Sequence, residues 1–265
     1  MPTDELMQER PRASLRHGAS KVPEVAVAFW LAKALTTGMG ESSSDYLVHR
    51  LPPALAVALG GIALAGALAL QFAARRYVPW IYWLAVAMVG VFGTMAADVL
   101  HVGLGVPYVV SSAFFAVSLT AIFALWWASE KTLSIHSIHT DRREVFYWAA
   151  VMTTFALGTA AGDMTAITLH LGYLSSGVMF AVVIAIPAVA HWRFGMNPIL
   201  AFWLAYIATR PLGASFADWM GVSHARGGLG LGAGPVSLAL AALIIGFVRY
   251  LSVAPAGRDE MHGRA

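Results

Sequence analysis

Eight long apolar runs separated by short polar breaks make up most of the chain. The first begins at Lys21-Val22-Pro23-Glu24 and runs to about residue 46. Proline suits a first helical turn, and Glu24 suits the positive end of a helix dipole. The others cover about 53–74, 79–103, 108–129, 145–171, 173–191, 198–222 and 235–251. Arg75-Arg76, a Gly-Val-Pro turn, a polar loop at 129–144 and a glycine-rich stretch at 226–234 mark the breaks. Each run is long enough, as a helix, to cross a hydrocarbon core of roughly 30 Å.

One pattern recurs inside these runs. An aromatic-Trp pair is followed by Ala two residues after the Trp, Gly ten after and Asp fifteen after. It occurs at Trp30, Gly40 and Asp45; at Trp83, Gly93 and Asp98; at Trp148, Gly158 and Asp163; and at Trp203, Gly213 and Asp218. The chain has only seven Asp, so four of them at one offset from a Trp mark an internal repeat. The pattern falls on the first, third, fifth and seventh runs. The expected fold is therefore an all-α membrane protein, with eight transmembrane helices arranged as four parallel two-helix repeats. The repeats are expected at about 21–77, 78–131, 145–193 and 197–252. Residues 1–20 and 253–265 read as polar cytoplasmic tails, and no cleavable signal peptide is expected.

Composition agrees. Of 265 residues 58% are hydrophobic and 12% charged, against about 25% charged in soluble domains. With no cysteine, disulfides, thiolate metal sites and thiol catalysis are excluded. The basic residues sit in breaks between apolar runs, so nucleic acid is not an expected partner; the lipid bilayer is. Thirteen of the seventeen Lys and Arg fall on one side of the predicted membrane, which places both termini in the cytoplasm. Each Asp then lies about 22 Å beyond its Trp, toward the outer face.

The Asp carry the sharpest chemical signal, because a carboxylate inside a bilayer costs at least about 2.5 kcal/mol. Two readings stand. In one the four converge on an axis to bind a cation or proton; in the other each accepts backbone N–H bonds at its own helix end. The spans hold Glu41, Asp45, Asp98, Asp163 and Asp218 against only Lys33 and Arg210. An unmatched buried acid is protonated or holds a cation. Thr37, Glu41, Asp45 and His49 form one stripe at steps of four. Lys33 and Arg210 read as internal counter-charges or gates, with Arg210 pairing an Asp of its own or a neighbouring helix. Pro211 predicts a kink or break beside it. His49, His101, His170 and His224 follow the Asp at unequal offsets, so they are weak metal ligands beside a polar-surface reading. The Trp read as interfacial anchors, with pathway lining as the alternative, and the Gly as close-packing positions. Tyr108 and Tyr173 each precede a Ser pair, 111–112 and 175–176.

The fourfold pattern, with VPEVAVAFWLAKALTTGMGESSSDYL at 22–47, resembles a family of uncharacterised bacterial membrane-anchored proteins. These are built of tandem two-helix repeats of unknown function, each with a characteristic Trp. The resemblance implies the bacterial cytoplasmic membrane and brings no activity. From the residues, the expected function is transport of a small cation, a divalent metal or proton-coupled solute. Asp45, Asp98, Asp163, Asp218 and Glu41 would form the binding site. The rival is a non-transporting scaffold or sensor whose Asp are helix-end caps. No nucleophile–base pair or zinc-protease motif is present, so enzymatic chemistry is not expected. Beyond a bound cation no cofactor is expected.

Overall fold

The computed structural model describes residues 20–253; both predicted tails lie outside this range, Ser20 and Val253 excepted. It contains eight long helices: α1 (Val27–Arg50), α2 (Pro53–Ala73), α3 (Pro79–Asp98), α4 (Tyr108–Glu130), α5 (Asp141–Asp163), α6 (Tyr173–Phe194), α7 (Pro198–Gly221) and α8 (Ala233–Val253). No strand occurs among the described residues. Seven helices, all but α1, are long and apolar enough to cross a membrane. The remaining helix is as long but carries Lys33, Glu41, Asp45 and Arg50.

The odd helices form a closed ring in which α1 packs on α3, α3 on α5, α5 on α7 and α7 on α1. The even helices sit outside, each mainly on the next odd helix: α2 on α3, α4 on α5, α6 on α7 and α8 on α1. Burial follows this division. Within their most apolar stretches α3, α5 and α7 are each 61% buried, whereas the even helices are 17–28% buried. The outer helices expose Ile62, Val117, Val182, Ile186, Leu238 and Ile245 to the surroundings. So extensive an exposed apolar surface marks a multi-pass membrane protein.

The recurring glycines close the ring. A Cβ on Gly40 would lie 2.7 Å from the Gly90 backbone, and one on Gly93 2.8 Å from Phe155 Cβ. One on Gly158 would meet Arg210 Cγ at 2.2 Å, and one on Gly213 would meet Thr37 Oγ1 at 1.9 Å. The residues met (Gly90, Phe155, Arg210, Thr37) all stand seven after their own Trp. Every repeat's glycine thus receives the same position of the next repeat, and the fourth hands back to the first. Small residues allow such close backbone approach.

The helix limits differ from expectation in instructive places. The first helix starts at Val27, because residues 20–26 form an irregular strap: Lys21 N–H donates to Ile138 O and Tyr77 N–H to Ser20 O. Lys21 Nζ reaches Glu144 Oε2 at 2.7 Å, and Gln71 Nε2 donates to Glu144 Oε1 at 2.9 Å. This buried clamp ties the strap, the end of α2 and the start of α5 at the Trp end of the ring. Helix α5 begins four residues earlier than expected because Thr140 caps it, accepting from Arg143 N–H at 3.3 Å. The expected kink or break at Pro211 is not seen as an interruption: α7 runs unbroken from Pro198 to Gly221. Past Asp98 and Asp163 the chain does not continue as α-helix. It widens into π-helical turns, Val99–Gly103 and Met164–Thr168.

Candidate functional site

Positions three, seven, eleven and fifteen after each Trp lie four apart, so each odd helix presents them as one stripe. The aromatic before the Trp opens the stripe. At that end Tyr82 and Tyr147 hydroxyls meet at 2.5 Å, and Phe29 packs tilted against Phe202 at 5.9 Å. Next along the stripe, Lys33 is wholly buried and its Nζ has no hydrogen-bond partner. It lies 4.0 Å from the Phe155 ring centre and 4.2 Å from that of Tyr206. These two ring faces enclose its amine, and no acid pairs with it.

Arg210 comes next, also wholly buried. Its Nη2 donates to Glu41 Oε2 at 2.6 Å, to Thr159 Oγ1 at 2.8 Å and to Thr94 Oγ1; its Nη1 donates to Thr37 O at 3.1 Å. One guanidinium on α7 thus binds all three other ring helices. Glu41, Thr94 and Thr159 each stand eleven after their Trp, and the fourth repeat has Ala214 there. Arg210 was expected to pair with a repeated Asp. Its partner is Glu41 instead, one turn nearer along the axis.

The four repeated Asp gather at the far end of the ring, where Asp45 draws close to Asp218 and Asp98 to Asp163, each pair from adjacent helices. One carboxylate oxygen each of Glu41, Asp45 and Asp218 lie within 4.8 Å of one another. So do ligand atoms of Asp98, His101 and Asp163. Beside the first group is a cavity of about 350 Å³ lined by Asp45, Asp218, His49, Arg50 and Arg226 among others. Among the described residues no backbone N–H donates to any of these four carboxylates. The helix-end cap reading of the Asp therefore lacks its defining bond.

The histidines separate. His101 is buried, with Nε2 3.5 Å from Asp98 Oδ1 and 4.0 Å from Asp163 Oδ2. His49 is exposed and donates from Nδ1 to the Asp45 carbonyl at 2.6 Å. His170 and His224 are exposed and stand outside both acid groups. Trp83, Trp148 and Trp203 are at most 4% exposed, and only Trp30 is half-buried. The anchor expectation is corrected for the three: their indoles face neighbouring helices, where Trp203 packs on Phe123 and Trp126 and donates to Leu133 O at 2.9 Å. The Glu41–Thr94–Thr159 constellation was missed because its residue types differ. The shared offset from the Trp was the available signal.

A family model described as Repeat of Unknown Function (DUF347) matches residues 28–77, 81–132, 146–197 and 201–254. The chain belongs to this repeat family. Each DUF347 segment contains one Trp, Gly and Asp of the recurring pattern and one odd–even helix pair. No curated protein and no solved structure matches the chain significantly.

Proposed function

We propose that this DUF347 protein is a transporter of small cations in the bacterial cytoplasmic membrane. Its eight helices would cross the bilayer as four parallel repeats, with both termini in the cytoplasm and the Asp end outward. The observation that carries the reading is the gathering of four repeated carboxylates at one end of the ring, free of backbone bonds. Two like charges 4 Å apart repel by about 4 kcal/mol at an effective dielectric of 20. A cation or a shared proton relieves that cost, so these pairs suit ion handling better than helix capping.

The Arg210–Glu41 pair is the natural gate. Glu41 belongs both to the acid group with Asp45 and Asp218 and to the ion pair with Arg210. A cation bound by the three acids competes with Arg210 for Glu41. Below the gate, the permanent charge of Arg210 and the aromatic layer around Lys33 bar cation passage until the ring rearranges. The arrangement described here is then a closed state.

A scaffold or sensor remains the second reading, favoured by one observation: the glycine contacts leave no space between ring helices. Ion flux into proteoliposomes separates the two. Asp45→Asn/Asp218→Asn and Asp98→Asn/Asp163→Asn are expected to abolish flux while the melting temperature is unchanged or raised. Flux that survives all four substitutions, or variants that only lose stability, would sink the transport reading.

A further inference from the structure

We propose that Asp98, His101 and Asp163 form a binding site for a first-row divalent transition metal ion. The proposal rests on reading the acidic end as a cation site, and gives one of its two halves a ligand class. The two halves differ in kind. The Glu41–Asp45–Asp218 group offers only oxygen, and Glu41 is already engaged by Arg210. The Asp98–His101–Asp163 group offers one nitrogen and two oxygens, and Arg210 does not hydrogen-bond to it.

The state of the histidine follows from its neighbours. Ser111 Oγ donates to Tyr108 O at 3.1 Å, so its hydroxyl hydrogen is committed. His101 Nδ1 lies 3.1 Å from the same Oγ and must therefore supply the hydrogen of that contact. In the neutral ring Nε2 then carries a lone pair. The His101 side chain is 2% exposed, and Nε2 has no hydrogen-bond partner. It points at two carboxylate oxygens, 3.5 and 4.0 Å away. Three electron-pair donors thus face one another with no hydrogen assigned between them. Tyr108 holds the imidazole plane, ring centres 4.6 Å apart. A ligating histidine whose other nitrogen donates to a fixed acceptor is the usual arrangement at metal centres.

His101 stands three residues after Asp98, inside the π-helical turn that begins at Val99. In an ordinary helix residues three apart are neighbours on the surface. Here the widened turn directly after Asp98 carries His101 inward, toward Ser111 on α4 and Asp163 on α5. Such turns occur often at functional sites. The side chains of Asp98 and Asp163 are 24% and 17% exposed, which leaves an approach for the ion and room for water ligands. Metal bonds of about 2.0–2.2 Å require the ligand atoms to close in by only a fraction of an ångström to an ångström. Imidazole selects for manganese-to-zinc ions over magnesium and calcium, which prefer all-oxygen sites.

Cobalt(II) titration of the purified full chain in detergent tests this, read by the visible absorption of the bound ion and by melting temperature. One saturable Co²⁺ per chain is expected, displaced by Zn²⁺ and not by an equal concentration of Mg²⁺. His101→Gln and Asp163→Asn should each weaken binding at least about tenfold, and Ser111→Ala, which keeps all three ligands, by about tenfold. His101→Gln should also change the spectrum, and His170→Gln should leave affinity and spectrum alone. Co²⁺ should raise the melting temperature of the wild type and of His170→Gln, which guards against reading misfolding as lost binding. No saturable Co²⁺ binding, binding indifferent to His101→Gln, or equal displacement by Mg²⁺ would overturn the site. If Co²⁺ fails to bind while ion flux still needs the Asp, the metal site falls and the transport reading stands. Co²⁺ binding with no flux upholds the site and removes transport.

Discussion

Consider removing the charge of Glu41 alone. In Glu41→Gln the guanidinium of Arg210 keeps its bonds to Thr37 O, Thr94 and Thr159, but every remaining acceptor is neutral. Arg210 is wholly buried and Glu41's side chain is 5% exposed, so water cannot replace the lost charge. Removing one partner of a buried pair costs about 3–5 kcal/mol. The upper half of that range applies here, because the stranded guanidinium cannot shed its charge by giving up a proton. For a chain of this size each kcal/mol moves the melting temperature by about 2–4 °C, so a fall of about 8–20 °C is expected. Arg210→Met should cost less, since a carboxyl can shed its charge by taking a proton and a guanidinium cannot. The pair of changes together should recover most of the loss, because uncharged residues fill a buried site without a desolvation penalty. Thermal unfolding of the four proteins in one detergent, followed by helical circular dichroism, gives the double-mutant cycle. Strictly additive effects, or a single-variant cost under about 1 kcal/mol, would refute the central role of the pair.

The glycine contacts make a sharper local contrast. Gly158→Ala and Gly213→Ala should each cost about 1–3 kcal/mol by overpacking, whereas Gly66→Ala and Gly246→Ala, with nothing within 4 Å, should be neutral or stabilising by up to about 1 kcal/mol; equal effects at all four would remove the packing argument. Because the chain has no cysteine, single substitutions at the exposed Arg50 and Arg76 can be labelled without background. A membrane-impermeant thiol reagent added outside intact cells should reach Arg50→Cys and spare Arg76→Cys, and the opposite pattern would invert the proposed orientation.

The layering was legible because it rests on composition by helix. The odd runs carry the polar residues and the Trp pattern, the even runs are nearly all apolar, and polar stripes must turn from lipid. What stayed hidden depends on ring order and local geometry. That Asp45 meets Asp218 while Asp98 meets Asp163 follows from which neighbouring helices draw together, and all four Asp look alike along the chain. A π-helical turn follows both Asp98 and Asp163, yet only His101, three residues on rather than seven, falls within its turn and meets Ser111. Trp anchoring failed at three positions because one odd helix is wrapped by neighbours on almost every side, so a residue off the axial stripe still lands in the core. Lys21 looked like a helix start, and only the distant Glu144 shows it to be half of a clamp.

Fourfold repetition sets a physical problem at the axis. Contacts between neighbours can be repeated four times, as the glycines are, because each copy meets the same position of the next repeat. Charges on the axis cannot, since four like charges at one depth would each face repulsion of several kcal/mol from the others. The inner positions have accordingly diverged. Arg210 stands against Thr37, Gly90 and Phe155 at its position, and Glu41 against Thr94, Thr159 and Ala214 at the next. The Asp position departs from this rule: the same acid stands there in all four repeats, and neighbouring copies are drawn into two close pairs. Arg210 compensates one acid, Glu41, and Arg50 and Arg226 line the cavity beside Asp45 and Asp218, while Asp98 and Asp163 form no ion pair with a Lys or Arg among the described residues. The Asp98–Asp163 pair in particular has no Lys or Arg of the fold paired with it. On the proposed function, a cation or proton taken from outside makes up the difference, which puts the proposed ligand at the Asp pairs rather than at the ion pair beneath them.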